Sequence, residues 1–511
     1  MIEAAVVFAY LAIVLYMGIF AFRRHRGTGE DYFLASRSLG PIVFLFSLFG
    51  TNMTAFSILG SSGKTFQDGI GVYGLMASSS GLIIPLTLLF VGTRLWAVGK
   101  RFGHMTPVQI FRDRWEAGHI GTLIFVLQAA LLVPYIVVGV MGGGKTLHAL
   151  SSGQIPEAVG GGVVALVVMS YVFCGGMRGT AWVNTFQTIL FLTFGVLAIV
   201  VIGNSLGGFS STLNRMLEDE ATAHLLSREH MNAYVFFSFM FIPLSAIAFP
   251  HICIFCLTAK KVESFKYTVI LYPVCILAIW LPCVFLGMIA ASDASIQDTV
   301  QAAGSSDHVM LLVLKQHAPR WLTGILGAAI MAAVMASDSQ ILALSTMFTE
   351  DIFAYYGGKK LFGEKVQVVT GRIFVIVVTA VAYVIAMTTH QQIFDIAIKY
   401  AFTGYAALAP LTIAAVFWKR GTKYGALAST LVVMGGLLLI AYLEAAYPET
   451  GSIPGLPLLT RTPGGVVFFR GLLPVVPLVL LSTLAMIIVS LLTPPPSRRT
   501  VERYFPSGVS S

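Results

Sequence analysis

The chain of 511 residues is 57% hydrophobic and only 11% charged, with a mean hydropathy of +0.84. Soluble globular proteins carry about 25% charged residues, so this charged fraction is too small to cover a water-soluble protein of this length. The composition therefore excludes an ordinary soluble protein and predicts an all-α, polytopic membrane protein. A net charge of +9 also raises the question of nucleic-acid binding, which the positions of the basic residues answer.

About thirteen apolar runs are long enough to be transmembrane helices, since a helix needs roughly 20 residues to cross a bilayer. The first run has no small-residue cleavage site after it and is expected to be retained as a helix. In chain order the predicted spans are 4–22, 41–62, 71–97, 119–144, 157–174, 181–203, 233–258, 267–291, 321–347, 368–388, 392–418, 424–445 and 471–493.

The Lys and Arg residues between these spans predict the orientation. With the N-terminus outside, 23 of them fall in inner segments and 8 in outer segments, while Lys399 lies within a span. Cytoplasmic loops are enriched in Lys and Arg, so the split favours an N-terminus outside the cell and a cytoplasmic C-terminus. The basic residues are dispersed over seven inner segments, which argues against a nucleic-acid partner.

Two of the predicted spans contain residues that interrupt a helix. The second span holds "FGTNMTAFSILGSSG" (49–63) near its middle, and the seventh holds "FIPLSAIAFPHICIF" (241–255). Proline removes a backbone donor, and Asn and Thr side chains compete for the helix hydrogen bonds. Two interruptions five spans apart fit either inverted five-helix repeats around a central site or two ordinary kinks in a bundle.

Six sequence stretches, in order between Asp31 and Ala428, resemble the sodium/solute symporter family, which includes the sodium/proline and sodium/sugar symporters. The stretches are "DYFLASRSLG", "GTNMTAFSILGSSG", "GGMRGTAWVNTFQ", "FPHI", "SDSQILALSTMFTEDIF" and "FTGYAALAPLTIAAVFWKRGTKYGALA".

This resemblance implies a leucine-transporter-like fold that works by alternating access. The expected parts are a leading helix and cytoplasmic loop (1–40), a first inverted repeat (41–203), an extracellular loop (204–232), a second inverted repeat (233–418), two C-terminal helices (419–493) and a cytoplasmic tail (494–511). The implied location is the plasma membrane of a prokaryote, the inner membrane where there are two.

The resemblance also implies a sodium site between the broken second span and the ninth span. The matching backbone carbonyls belong to Gly50, Met53 and Ala332. The two hydroxyl ligands of the family fall, without a gap, on Met335 and Ala336, which carry no side-chain oxygen. A one-residue gap moves them to Ala336 and Ser337 and restores one hydroxyl.

Asn184, in "WVNTFQ", stands where family members often carry an Asp. These departures leave open whether sodium is the coupling ion.

Asp338 is an acidic residue within an apolar span, where a carboxylate is costly. Two readings stay open: a structural role near the cytoplasmic mouth, or a direct role in cation or proton coupling. Asp395 and Lys399 are four residues apart and on one helix face, which predicts either a self-neutralising pair or a contact of Lys399 with an anionic substrate group.

The residues expected to line a substrate site come from the two breaks and from Lys399: Asn52, Thr54, Ser57, Ser245, Phe249 and Lys399. Free N–H groups at a broken helix suit a carboxylate, which favours a small organic acid or an amino acid, while nearby aromatic rings would also stack on a sugar. No protein cofactor is expected beyond a coupling sodium ion or proton.

The sequence therefore predicts a secondary active, cation-coupled symporter of a small organic solute and not an enzyme. The pattern G-x-x-x-x-G-K-[ST] occurs once, as "GVMGGGKT" (139–146), but it overlaps the end of a predicted apolar span and does not follow a predicted strand, which argues against a phosphate-binding loop and transport driven by ATP. The alternatives are a transporter of the same fold that uses protons or no ion, and a membrane sensor that has lost transport, against which the short C-terminal tail argues. The substrate, the stoichiometry and the oligomeric state are not predicted.

Overall fold

The computed structural model of the protein describes residues 2–23, 28–228, 231–389, 391–447, 450–453, 456–461 and 466–506. Within these ranges ten helices are long and apolar enough to cross a membrane, and two bent helix pairs raise the possible number to twelve. The helices used below are, in chain order, α1 (Ile2–Phe22), α2 (Pro41–Asn52), α3 (Phe56–Asp68), α4 (Gly71–Phe102), α5 (Gly118–Leu150), α6 (Glu157–Ser205), α7 (Ala233–Ile247), α8 (Pro250–Thr258), α9 (Ser264–Ala290), α10 (Arg320–Ala354), α11 (Gly358–Thr388), α12 (Ile393–Phe417), α13 (Lys423–Ala446) and α14 (Val475–Leu492).

Thirteen spans were predicted, compared with ten to twelve in the described residues, and the difference lies mainly in α6. This helix of 49 residues contains Gly176 with φ 52° and ψ −149°, which is not a helical conformation. The predicted spans 157–174 and 181–203 lie on either side of this residue. The two predicted spans are therefore joined by a kink instead of a loop.

The connections between the long helices contain shorter elements. The short helices are Gly29–Leu34, Pro107–Trp115, Phe209–Glu218, Glu220–Ala223, Ala294–Ala303, Val309–His317 and Arg498–Tyr504. A three-stranded antiparallel sheet, β1 (Gly451–Ile453), β2 (Leu456–Arg461) and β3 (Val467–Phe469), lies between α13 and α14. The prediction of helices alone was wrong here, because strands this short carry no alternation of polar and apolar residues that would reveal them.

Helix α10 lies at the centre of the bundle. In its apolar 18-residue window 94% of the residues are buried, compared with 33% for both α1 and α11. Buried in this helix are Asp338 and its polar neighbours, none of which is more than 4% exposed. The acidic residue that the sequence singled out is therefore enclosed by protein and does not face lipid.

Candidate functional site

The first helix break separates α2 from α3. Helix α2 ends at Asn52, and Met53 adopts φ −102° and ψ 90°. The Met53 N–H donates to the Gly50 carbonyl at 3.1 Å, and the Ser57 N–H donates to the Thr54 carbonyl at 2.8 Å. The two helices differ in direction by 58°. The interruption predicted here is confirmed, and it leaves backbone groups of helix ends inside the bundle.

The second helix break separates α7 from α8, which differ in direction by 48°. The end of α7 tightens into a 3₁₀ helix over Ile242–Ile247, and the Ser245 carbonyl accepts the N–H groups of Ala248 and Phe249 at 3.0 and 2.9 Å. Pro250 is the first residue of α8. Proline has no N–H to donate and is favoured at the start of a helix, so it ends one helix and begins the next.

A central cavity lies between the two breaks. The space between its side chains, including its open side, is about 460 Å³, and the centre of a water molecule reaches only about 30 Å³ of it. The cavity is therefore narrow in this conformation, and a solute would require it to widen. The residues that line it are Asn52, Met53, Phe56, Ser57, Met76, Ser80, Ile84, Phe239, Ile242, Pro243, Ser245, Ala246, Trp280, Ile398 and Phe402.

The polar groups of the central cavity are few and come from five helices, α2, α3, α4, α7 and α9. The Asn52 amide donates to the hydroxyl of Tyr272 at 2.7 Å, and the Ser57 hydroxyl donates to the Met53 sulfur at 3.2 Å. The buried Trp280 Nε1–H has no acceptor among the described residues. A buried donor without a partner costs free energy, which makes Trp280 Nε1–H a candidate donor to a bound solute.

A cluster of aromatic rings closes the cavity on the side of α5 and α12. Tyr135 stacks on Phe249 with ring centroids 5.3 Å apart, and Phe402 lies edge-on to Phe249 at 5.6 Å. The Tyr135 hydroxyl also donates to the Asn52 carbonyl at 3.2 Å. Phe249, predicted as a lining residue, thus lies in the layer behind Phe402, which itself lines the cavity.

A second polar cluster surrounds Asp338 on α10. One oxygen of its carboxylate accepts the Tyr171 hydroxyl at 2.9 Å, and the other accepts the Ser339 hydroxyl at 2.8 Å. The Ser339 oxygen in turn accepts the Asn184 amide at 2.7 Å. No Lys or Arg forms an ion pair with Asp338 in the part of the chain that the structure describes. This carboxylate is thus hydrogen-bonded without a basic partner.

The Asp338 cluster continues to the first helix break. Gln340 donates its amide to the Thr51 carbonyl at 3.1 Å, and a Cβ placed on Gly50 would lie 3.2 Å from the Asn184 carbonyl. We call this meeting point of α2, α6 and α10 the oxygen junction. Three of its buried oxygens have no donor among the described residues: Thr51 Oγ1, Asn184 Oδ1 and Gln340 Oε1. Oxygen ligands are what hard cations require.

The other residues of the predicted cation site lie on α10. Ala332 is fully buried one turn before a 3₁₀ segment, Met335–Ser337. The Ser337 hydroxyl faces α5, because a Cβ on Gly139 would lie 2.6 Å from it. On α5 a Cβ on Gly142 would touch Ala55 of the first break at 2.7 Å. Ser337 therefore lies between α5 and α10 near that break.

Of the two readings of Asp395 and Lys399, the self-neutralising pair does not form among the described residues. Lys399 forms its ion pair with Glu444 of α13 at 2.6 Å, and both side chains are 8% exposed. Asp395 instead lines a separate cavity with Lys64 and Asp68. Lys399 is absent from the lining of the central cavity, although its neighbour Ile398 contributes to it. Spacing along one helix cannot reveal a partner that a later helix supplies.

We expect Glu444→Gln to lower the free energy of unfolding by about 3–5 kcal/mol, because it leaves the buried Lys399 ammonium without a counter-charge. Thermal unfolding in detergent measures the loss. Asp395→Asn is the matched control and should have a smaller effect. The exchanged variant Lys399→Glu/Glu444→Lys should recover stability, and equal damage from Asp395→Asn and Glu444→Gln would contradict the pairing.

Several residues of the two clusters were not predicted. Ser339 and Gln340 carried a signal, since they continue the polar stretch that begins at Asp338. Tyr171, Tyr272 and Trp280 carried none, because aromatic residues are common in membrane helices and their sequence does not show which face they occupy.

Comparison with known proteins agrees with this architecture. The family model described as "Sodium:solute symporter family" matches residues 32–433. The sodium/proline symporter of Escherichia coli is 27% identical over 458 residues, which are 85% of this chain and 86% of that protein. The sodium/pantothenate symporter of Haemophilus influenzae is 25% identical over 448 residues, which are 85% of this chain and 89% of that protein.

Two solved structures are similar in fold. The outward-open state of a Na⁺-coupled sialic acid symporter has a TM-score of 0.76 and 17% identity, and covers 98% of this chain and 99% of that chain. A closed nucleobase-cation-symport-1 family transporter has a TM-score of 0.55 and 14% identity, and covers 93% and 98%. The predicted leucine-transporter-like fold and the predicted class, a solute transporter and not an enzyme, are confirmed. The chain belongs to the sodium:solute symporter family.

Proposed function

We propose that this family member imports a small zwitterionic solute, such as a compact amino or imino acid, together with sodium. The central cavity is the observation that carries the proposal: its polar groups are Asn52, Ser57, Ser80, Ser245 and Trp280, and no charged side chain of the described residues lines it. A solute with a net charge would lack a counter-charge there, which is costly in an apolar site. A zwitterion is neutral overall.

The carboxylate of such a solute has two sources of stabilisation. The unpaired Trp280 Nε1–H is one hydrogen-bond donor, and the hydroxyls of Ser80 and Ser245, which line the cavity, are the other. The relatives known as sodium/proline symporters make a compact imino acid the first solute to test. The relatives known as sodium/pantothenate symporters make an organic acid the competing outcome.

We place the sodium ion at the oxygen junction and the adjoining break. The proposed ligands are the carbonyls of Gly50, Met53 and Ala332 and the hydroxyl of Ser337, with Asn184 and Asp338 close by. The 3₁₀ segment Met335–Ser337 supports the one-residue gap that assigns Ser337, because a 3₁₀ turn uses 3.0 residues where an α-turn uses 3.6. The unpaired oxygens of Thr51 and Gln340 are further candidates.

The helix order supports alternating access between two inverted repeats. We assign α2–α6 to the first repeat (41–203) and α7–α12 to the second (233–418), so that each repeat begins with a bent helix pair. The segments 1–40 and 419–493 add the leading helix and two trailing helices. Comparison with bacterial relatives and the excess of Lys and Arg in the inner segments support a plasma-membrane protein with its N-terminus outside and its C-terminus in the cytoplasm.

Uptake into proteoliposomes tests the proposal. We expect accumulation of radiolabelled proline, or of another compact amino acid in a competition panel, to rise at least tenfold when an inward sodium gradient replaces a choline gradient at constant pH. Pantothenate and a hexose are the comparison solutes. Accumulation that follows a proton gradient without sodium would contradict sodium coupling. Absence of transport for every solute of the panel would favour the alternative function, a membrane sensor that has lost transport.

A matched pair of tryptophan variants tests the site. Trp280→Phe should raise the KM for the solute about tenfold, because a hydrogen bond to a charged group contributes about 1.5–3 kcal/mol. Trp321→Phe is the control, since Trp321 is 59% exposed on α10. An unchanged KM in Trp280→Phe would remove this tryptophan from the solute site.

A further inference from the structure

An apolar groove lies on the outer surface of the bundle, away from the central cavity. Helices α12 and α14 form its sides, and Leu244 is the residue of α7 that also lines it. The centre of a water-sized sphere reaches about 630 Å³ of this groove, compared with about 30 Å³ of the central cavity. Thr483 is one of its few polar side chains, and its hydroxyl is already bonded to the Val479 carbonyl at 2.6 Å.

The length of the groove matches one half of a bilayer. It runs on α12 from Ala409 to Trp418, nine residues or about 14 Å, and on α14 from Val479 to Leu491, twelve residues or about 18 Å. One leaflet of hydrocarbon is about 15 Å thick, half of the roughly 30 Å core. The groove is therefore long enough to hold one acyl chain that runs from the middle of the bilayer to one membrane surface.

Basic and interfacial residues mark the surface end of the groove. We define the basic rim as Arg94, Lys419 and Arg420. Arg94 places its guanidinium 5.1 Å from the ring centre of Phe417, and Lys419 is exposed next to Trp418. Trp is enriched where a helix leaves the membrane. The orientation proposed above puts this end at the cytoplasmic leaflet, where anionic lipids attract basic residues.

Arg420 supplies the observation that points to a ligand. Its Nη2 donates to the carbonyls of Leu491 at 3.2 Å and Thr493 at 2.8 Å, so the guanidinium bridges the ends of α12 and α14. Its Nη1 is buried and has no acceptor among the described residues. A buried guanidinium N–H at the end of an apolar groove suits a phosphate oxygen, since Arg donates to phosphates in a fixed planar geometry.

We propose that the groove binds an anionic glycerophospholipid of the inner leaflet, with one acyl chain between α12 and α14 and the phosphate against the basic rim. The acyl chain ends at Leu244. Leu244 adjoins Ser245, which lines the central cavity. The bound lipid therefore braces the second helix break, and transport depends on it. This inference goes beyond the proposed substrate and sodium site, and its binding readout does not depend on either.

Native mass spectrometry of the whole protein, with 1-palmitoyl-2-oleoyl phosphatidylglycerol or phosphatidylcholine added, tests lipid binding. We expect one phosphatidylglycerol to be retained at least tenfold more strongly than phosphatidylcholine. Thr483→Phe should abolish this retention by filling the groove. The control Leu484→Phe adds the same ring on the next residue of α14, which is 51% exposed and outside the groove, and should leave it intact.

Two further measurements complete the experiment: lipid binding by variants of the basic rim, and solute uptake in vesicles of different lipid composition. Lys419→Gln should reduce the preference for phosphatidylglycerol several-fold, and Lys360→Gln, an exposed lysine at the start of α11, should not. Uptake should be several-fold faster in vesicles with phosphatidylglycerol than in pure phosphatidylcholine, and Thr483→Phe should remove the difference. Equal retention of both lipids, equal loss in Thr483→Phe and Leu484→Phe, or disulfide-linked dimers of Thr483→Cys in vesicles would overturn the proposal.

Discussion

Gly50→Ala is expected to reduce sodium-driven uptake more than tenfold and to raise the sodium concentration needed for half-maximal transport. A Cβ on Gly50 would collide with the Thr188 hydroxyl and lie 3.2 Å from the Asn184 carbonyl. Overpacking of this kind typically costs about 1–3 kcal/mol. Turning the Thr188 hydroxyl away breaks its hydrogen bond to the Phe46 carbonyl, so we expect α2 to move away from α6 instead and to displace the Gly50 and Met53 carbonyls from the proposed ion.

The measurement is uptake as a function of sodium concentration in proteoliposomes, together with thermal unfolding. Gly435→Ala on α13 is the matched control, because no atom lies within 4 Å of a Cβ added there. The double variant Gly50→Ala/Thr188→Ala removes the nearest colliding atom and should recover part of the sodium affinity. Normal sodium dependence in Gly50→Ala would show that the ion binds elsewhere.

Much of the architecture is readable from the sequence because the bilayer imposes its own length scale. A helix that crosses hydrocarbon needs a long apolar run, and the described long helices overlap the predicted runs. The two breaks were also readable, since proline before His251 and the Gly-Thr-Asn stretch after Phe49 are local signals. A helix bend is readable because its causes, a proline or side chains that compete for backbone hydrogen bonds, lie within a few residues of the bend.

The partners of buried polar groups were not readable in the same way. Lys399 bonds to Glu444, 45 positions later in the chain, and Asn52 bonds to Tyr272. Such pairs depend on which helices become neighbours and on how each is rotated. The sequence indicated that Asp338 must be accommodated and placed Ser339 beside it, but the donor Tyr171 becomes a neighbour only when α6 and α10 are packed together.

The two polar clusters are connected through Asn52 and Thr51. Asn52 faces the central cavity and bonds to Tyr272, while the carbonyl of the preceding Thr51 accepts the Gln340 amide of the oxygen junction. A change in the bend angle between α2 and α3 therefore moves one group of each cluster, the Asn52 side chain and the Thr51 carbonyl. We infer that this shared segment is a physical route by which an ion at the proposed site would alter the shape of the solute cavity.

Asp338→Asn should leave the protein folded but reduce sodium-driven accumulation more than tenfold. The carboxylate is 0% exposed and has no basic partner among the described residues. A buried negative charge without a counter-charge is costly, so we infer that a bound cation or a proton balances it. Asparagine keeps the size of the side chain but removes the charge that would hold the cation.

Two assays separate coupling from a purely structural role. Exchange of labelled solute at equal sodium on both sides measures access to the cavity, and accumulation against a gradient measures coupling. Asp338→Asn should lose accumulation while it retains part of the exchange. Tyr171→Phe is the control: it removes one hydrogen bond to Asp338 without changing the charge, so it should reduce stability modestly and keep the sodium dependence. If Asp338→Asn accumulates solute at the normal rate with unchanged dependence on sodium and pH, Asp338 has no part in coupling, and the cation is held by the neutral oxygens of the junction alone.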